Sequence, residues 1–107
     1  MKENCEKFMS HKPESVLRQQ ILKVLTKAGW LCIPYHGGIY GSRGIPDFLC
    51  CVPPRGLFLG VEVKTSTGVI SPIQRATHRL IASKGGAFAV VRSVAEAKEL
   101  VERLDKP

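Results

Sequence analysis

Gly44-Ile45-Pro46-Asp47, Phe48-Leu49-Cys50-Cys51-Val52, Pro53-Pro54-Arg55-Gly56 and Leu57-Phe58-Leu59-Gly60-Val61-Glu62-Val63-Lys64 follow one another without a break, and this stretch decides how the chain reads. An apolar run, a Pro/Gly turn and a second apolar run predict a β-hairpin. The charges fall where such a hairpin least favours them. Asp47 opens the first strand, and Glu62 and Lys64 interrupt the end of the second. Side chains alternate along a strand, so Glu62 and Lys64 share one face and Val61 and Val63 the other. Antiparallel pairing sets the start of the first strand beside the end of the second. Asp47 is therefore expected to meet Glu62 and Lys64 at one end of a sheet.

Buried charge is costly unless it is paired or binds a metal. Two readings follow from the residues alone. One is a structural ion pair between Glu62 and Lys64; the other is a divalent-metal site with a lysine beside it.

At 107 residues the chain has room for one hydrophobic core. No apolar run approaches the roughly 20 residues that cross a membrane, and Met1 to Lys7 lacks the apolar core of a signal peptide. The expected location is intracellular and cytoplasmic. A formal net charge of +7 suits a polyanionic partner, nucleic acid first. Cys5, Cys32, Cys50 and Cys51 form no Cys-x-x-Cys pair, which favours buried free thiols over zinc.

Residues 1–12 read as a loose polar tail and 13–107 as a single domain. After Pro13, the spacing of Val16, Leu17, Ile21, Val24, Leu25 and Ala28 predicts a helix ended by Gly29. Glu14 lies in its first turn, where the helix dipole alone favours an acid. Arg18, Gln19, Lys23 and Lys27 fall on its polar side. Trp30 to Tyr35 predicts a short strand, with Pro34 marking an edge or irregular end. The glycine-rich segment from His36 to Gly44 is no Walker loop; it reads as a connector or as a close approach to a ligand, with Tyr40 and Arg43 available to phosphate or base.

Ser71-Pro72-Ile73-Gln74 predicts a capped helix start, and the capping box fully accounts for Gln74. That helix runs to about Ser83. Ile73, Leu80 and Ile81 are expected on its buried side, and Arg75, His78 and Arg79 as a basic stripe. Ala87 to Arg92 predicts a strand. Ser93-Val94-Ala95-Glu96 predicts a second capping box, opening a last helix with Ala97, Leu100, Val101 and Leu104 inward. The order is α-β-β-β-α-β-α, an α/β fold.

Glu14, Gly44-x-Pro46-Asp47, Glu62-x-Lys64 and Gln74 stand on helix, strand, strand and helix. In that order the chain resembles the VRR-NUC family of the PD-(D/E)xK nuclease superfamily, over about residues 14–104. It is closest in organisation to the stand-alone members of phage and bacterial type. The resemblance implies a restriction-endonuclease-like mixed sheet flanked by helices. It implies a metal-dependent DNA endonuclease using Mg²⁺ or Mn²⁺ on structured DNA, with Holliday-junction resolution by a homodimer as the leading expectation. A less selective nickase or flap nuclease, or a non-catalytic module that binds branched DNA, stand as alternatives. By the same resemblance Asp47, Glu62 and the Val63 carbonyl are metal ligands. Glu14 completes the shell, Lys64 orients water or stabilises developing charge, and Gln74 positions Lys64 or the water. Position alone nominates Arg43, Arg75, His78 and Arg79 as DNA contacts.

Overall fold

A computed structural model of the chain describes residues 13–35 and 44–105. The proposed tail, residues 1–12, lies outside these, as does Arg43 with most of the glycine-rich segment. Seven elements follow in the expected order. They are helix α1 (Glu14–Lys27), strands β1 (Leu31–Pro34), β2 (Phe48–Val52) and β3 (Leu57–Val63), helix α2 (Pro72–Ser83), strand β4 (Ala87–Val91) and helix α3 (Val94–Leu104).

The strands form one sheet in the order β1-β2-β3-β4. β2 pairs antiparallel with both β1 and β3, as two consecutive hairpin-like connections require. The α2 crossover returns the chain so that β4 runs parallel to β3. β1 is an edge strand, which is where Pro34, with no amide hydrogen to donate, is tolerated.

Alternation divides the sheet into two faces. On the inner face Phe48, Cys50 and Val52 of β2, with Leu59, Val61 and Val63 of β3 and Val91 of β4, pack beneath α1 and α3. α1 contributes Leu17, Ile21 and Leu25, and α3 contributes Ala97 and Leu100. Both helices are amphipathic, so their apolar stripes are buried while their charges stay in water. Val16 departs from the expected stripe and is 41% exposed.

The outer face carries α2, and its orientation corrects two expectations. Ile73 and Leu80 do not mark the buried side; both are exposed, and Ile81 is only half-buried. The inner side is Gln74, Thr77, His78 and Ile81, at i, i+3, i+4 and i+7. His78 is 2% exposed and its ring stacks on Phe88 of β4, with centroids 4.4 Å apart. Burial holds the imidazole below its ordinary pKa, hence neutral. The helix can lie this close because Gly60 offers no side chain: a Cβ there would stand 2.7 Å from Pro46 Cγ and 3.1 Å from Ile81 Cδ1. His78 thus belongs to the interior and leaves the basic stripe, in which Arg75 and Arg79 remain exposed.

The cap of α2 forms as expected. Ser71 Oγ accepts from the Gln74 amide, and Gln74 Oε1 accepts from the Ser71 amide at 2.9 Å. The cap of α3 is only half of such a box. Ser93 Oγ accepts from the Glu96 amide, but the Glu96 carboxylate reaches one residue further back and accepts from the Arg92 amide at 2.8 Å.

Candidate active site

The segment before β2 is fixed at both ends of its Gly-x-Pro-Asp sequence. Gly44 has φ +84°, and a Cβ there would lie 2.7 Å from the Ile73 carbonyl oxygen. Only glycine lets the chain pass this close to the first turn of α2 in that conformation. Pro46 is fully buried against Gly60. With both anchored, Asp47 falls opposite Glu62, one step beyond the Phe48–Val61 pair. The Tyr35 amide donates to the Asp47 carbonyl at 2.9 Å and extends the β1–β2 pairing to this point.

The Asp47 side chain turns across the end of the sheet. Its Oδ2 accepts from the Val63 amide at 2.7 Å, a charge-assisted bond of full strength. Glu62 is 3% exposed, and its Oε1 is buried without a hydrogen-bond partner. Burial above all, then the adjacent Asp47, raises the Glu62 carboxyl to about 8; Lys64 opposes the shift and Glu14 adds slightly to it.

A cleft of about 720 Å³ opens at this end of the sheet. Asp47, Glu62 and Gln74 line it, together with Arg18 and Gln19 of α1 and Tyr35. Glu14 does not line the cleft but reaches its carboxylates through Arg18, whose Nη1 lies 3.7 Å from Glu14 Oε2 and 3.4 Å from Asp47 Oδ1. Among the described residues these are the ion pairs, so the structural Glu62–Lys64 pair, one of the two readings of the sequence, does not form.

Lys64 does not line the cleft, although its charge acts on Glu62; it is half-buried, with its stem against Gly68, where a Cβ would stand 3.3 Å from Lys64 Cβ and Cδ. Arg92 fixes that loop: its Nη1 donates to the Thr65 and Gly68 carbonyls, both at 2.7 Å. Arg18, Gln19, Tyr35 and Arg92 carried no role in the sequence reading. The four-residue spacing from Glu14 to Arg18 was the available signal. Nothing local marks Arg92, whose partners lie 24 and 27 residues away.

Among the described residues no three His, Cys, Asp or Glu side chains converge as a metal cage. The donor set is instead two carboxylates, one with an unpartnered buried oxygen. That set fits Mg²⁺ or Mn²⁺, which bind through one or two carboxylates and fill the remaining positions with water and substrate oxygens.

The sequence model of the VRR-NUC domain matches residues 2–95. This chain belongs to the VRR-NUC family. A solved structure titled "VRR_NUC domain" is 27% identical and superposes with a TM-score of 0.68, covering 83% of this chain and 94% of that one. Comparison with curated proteins gives no match. The VRR-NUC domain is a nuclease-type, DNA-processing module, and in this chain the carboxylate cleft lies where the Gly44–Asp47 segment meets Glu62 of β3. Among the described residues no helix is long and apolar enough to cross a membrane.

Proposed function

We propose that this VRR-NUC domain is a metal-dependent endonuclease that hydrolyses phosphodiester bonds in structured DNA, four-way junctions first, and works as a homodimer. The observation that carries the reading is the Asp47–Glu62 pair at the cleft, with Glu62 buried and its Oε1 unpartnered. Asp47 and Glu62 are the ligands of Mg²⁺ or Mn²⁺, with the Val63 carbonyl a third donor. The metal supplies charge neutralisation and an activated water for phosphodiester cleavage.

The protein's own groups do the rest. The Val63 N–H fixes Asp47 Oδ2 and so the direction of Oδ1. Lys64, on the loop that Arg92 pins, orients the attacking water or stabilises the charge that develops on phosphate oxygens. Gln74 has its Oε1 committed to the cap, so its Nε2 end is the part it offers to water in the cleft. Glu14 acts from the rim, through Arg18. Arg75 and Arg79, exposed on α2, contact DNA phosphates, and Arg43 adds a third basic contact from the glycine-rich segment.

The homodimer has its own support. Leu31, Cys51 and Phe58 are in register across three strands on the outer face, and all three are exposed. With Ile33 and Leu80 they form an apolar strip beside α2. Such a strip on a small domain marks an association surface. A two-fold dimer presents two sites to two strands, which suits paired incision.

The test is cleavage of matched four-way, flap, single-stranded and linear duplex DNAs with Mg²⁺, with Mn²⁺ and with chelator, beside Asp47→Asn. Metal-dependent cutting of the junction on opposed strands, absent in the variant, is the expected result. Cutting of every substrate discards the junction preference, and tight binding with no cutting in any metal leaves a shape-binding module.

A further inference from the structure

The two oxygens of Asp47 have different neighbours. Oδ2 is held by the Val63 amide at 2.7 Å. Oδ1 faces the guanidinium of Arg18 at 3.4 Å, and the same nitrogen lies 3.7 Å from Glu14 Oε2. These separations exceed the roughly 2.7–2.9 Å of a tight charge-assisted bond. Arg18 neutralises the carboxylates without being locked to them. Its side chain is 35% exposed, on the α1 wall of the cleft, so it has room to turn.

An i,i+4 pair on a helix is ordinarily a weak surface contact with no further meaning. Two observations lift Arg18 above that. Asp47 is 29 residues away and enters from another element, and Arg18 lines the same cleft as Glu62, whose buried oxygen has no partner.

We propose that Arg18 is the displaceable counter-ion of this site: it holds the cation position beside Asp47 Oδ1, yields that oxygen to a divalent ion, and turns to the anionic phosphate of the substrate. The inference rests on the nuclease reading above and adds to it a residue with two successive partners. Two cations within about 4 Å of one carboxylate oxygen repel each other, so occupancy of Oδ1 is exclusive. The released guanidinium keeps its fork of donors, which matches a phosphate as well as it matches a carboxylate. The substrate class that satisfies it is a phosphodiester lying along the α1 wall.

The experiment is calorimetric titration of the full chain with Mn²⁺, for wild type, Arg18→Gln, Arg18→Lys and Asp47→Asn. It is joined to binding of a fluorescent four-way junction in Ca²⁺ and in chelator. Removing the competing cation is expected to tighten Mn²⁺ about three- to tenfold in Arg18→Gln. Arg18→Lys, which keeps the charge, should bind Mn²⁺ like wild type. Arg18→Gln should lose junction affinity in Ca²⁺ and little of it in chelator, where the carboxylates already hold the guanidinium. Mn²⁺ affinity unchanged or weakened in Arg18→Gln overturns the inference, as does an equal loss of junction affinity with and without Ca²⁺. If Arg18→Gln does not fold, Arg18→Lys decides: reduced junction affinity in Ca²⁺ alone supports the fork-to-phosphate contact, and unchanged affinity overturns it. Asp47→Asn separates the two levels. Mn²⁺ bound by wild type and lost in Asp47→Asn, with Arg18→Gln like wild type, removes only the role of Arg18. Mn²⁺ bound by neither wild type nor Asp47→Asn removes the metal site itself.

Discussion

At the scale of single residues, the site is a balance between Glu62 and its surroundings. Its carboxyl titrates at about 8 against an ordinary 4.5, because it is buried and stands beside Asp47. The raised value fixes a sign. Folding favours the protonated form, so the contribution to stability is complete below pH 4.5 and is lost as pH rises through 8. The metal-free protein is therefore expected to melt at progressively lower temperature between those limits, and Glu62→Gln to flatten that slope while raising the melting temperature at pH 8. A thermal melt series in chelator checks both; an unchanged slope in Glu62→Gln would assign the pH dependence to another group. Activity should move in the opposite direction, because only the ionised carboxylate binds a cation. Asp47→Asn and Glu62→Gln are each expected to abolish cutting while junction binding survives. Lys64→Ala should lower turnover by tenfold or more with little loss of affinity, as befits a group that acts on developing charge. Equal losses in turnover and affinity would make Lys64 a phosphate contact instead.

At the scale of elements, the hairpin shows what a sequence can carry. Two apolar runs, the Pro-Pro-Arg-Gly turn and the charges at the open end were sufficient to pair β2 with β3 and bring Asp47 to Glu62, because side-chain direction follows from a period of two. The face of α2 was not legible. Hydrophobicity pointed to Ile73 and Leu80, but the inward position went to His78, which finds Phe88 on a strand ten residues later, while Gly60 leaves room for Ile81 of the same helix. Arg92 escaped notice for the same reason: its role depends on where β4 lies relative to the loop after Lys64. Pairing of β1 with β2 adds a consequence of its own. Cys32 and Cys50 are direct cross-strand partners on the inner face, with sulfurs 3.0 Å apart. The Cys50 thiol donates to Cys32, which lowers the Cys32 thiol and raises that of Cys50, so Cys32 is the nucleophile of the two. In a background with Cys5 and Cys51 replaced by Ser, a diamide-type oxidant is expected to remove both thiols and give a Cys32–Cys50 cross-linked peptide, seen by mass spectrometry. The cross-link ties the ends of the segment carrying Asp47 and should raise the melting temperature by about 5 °C or more. Thiols that stay free, with no cross-linked peptide, would show that the strands hold the sulfurs apart.

At the scale of the whole molecule, the sheet is covered unequally. α1 and α3 close the inner face, whereas on the outer face α2 packs against β4 and leaves Leu31, Ile33 and Phe58 exposed. The row Leu31–Cys51–Phe58 runs across three strands, with Ile33 on the same face of β1, so this is a surface of the sheet rather than scattered side chains. The exposed strip and the cleft are both built on β1, β2 and β3 of the same sheet, and a second copy seated on the strip would hold two clefts at a fixed spacing. Wild type is accordingly expected to sediment as a dimer at micromolar concentration. Phe58 is 48% exposed and lies outside the buried core, so the direct cost of Phe58→Glu to the fold should be about 1 kcal/mol. The same change places a carboxylate, and its two-fold mate, in an apolar interface, which should convert the dimer to monomer. Sedimentation of both proteins with their melting curves separates the cases. A monomeric, folded Phe58→Glu that nicks one junction strand but fails at paired incision would tie the sheet face to two-strand cutting. Wild type that sediments as a monomer, or a Phe58→Glu dimer of undiminished affinity, would place any association elsewhere on the molecule.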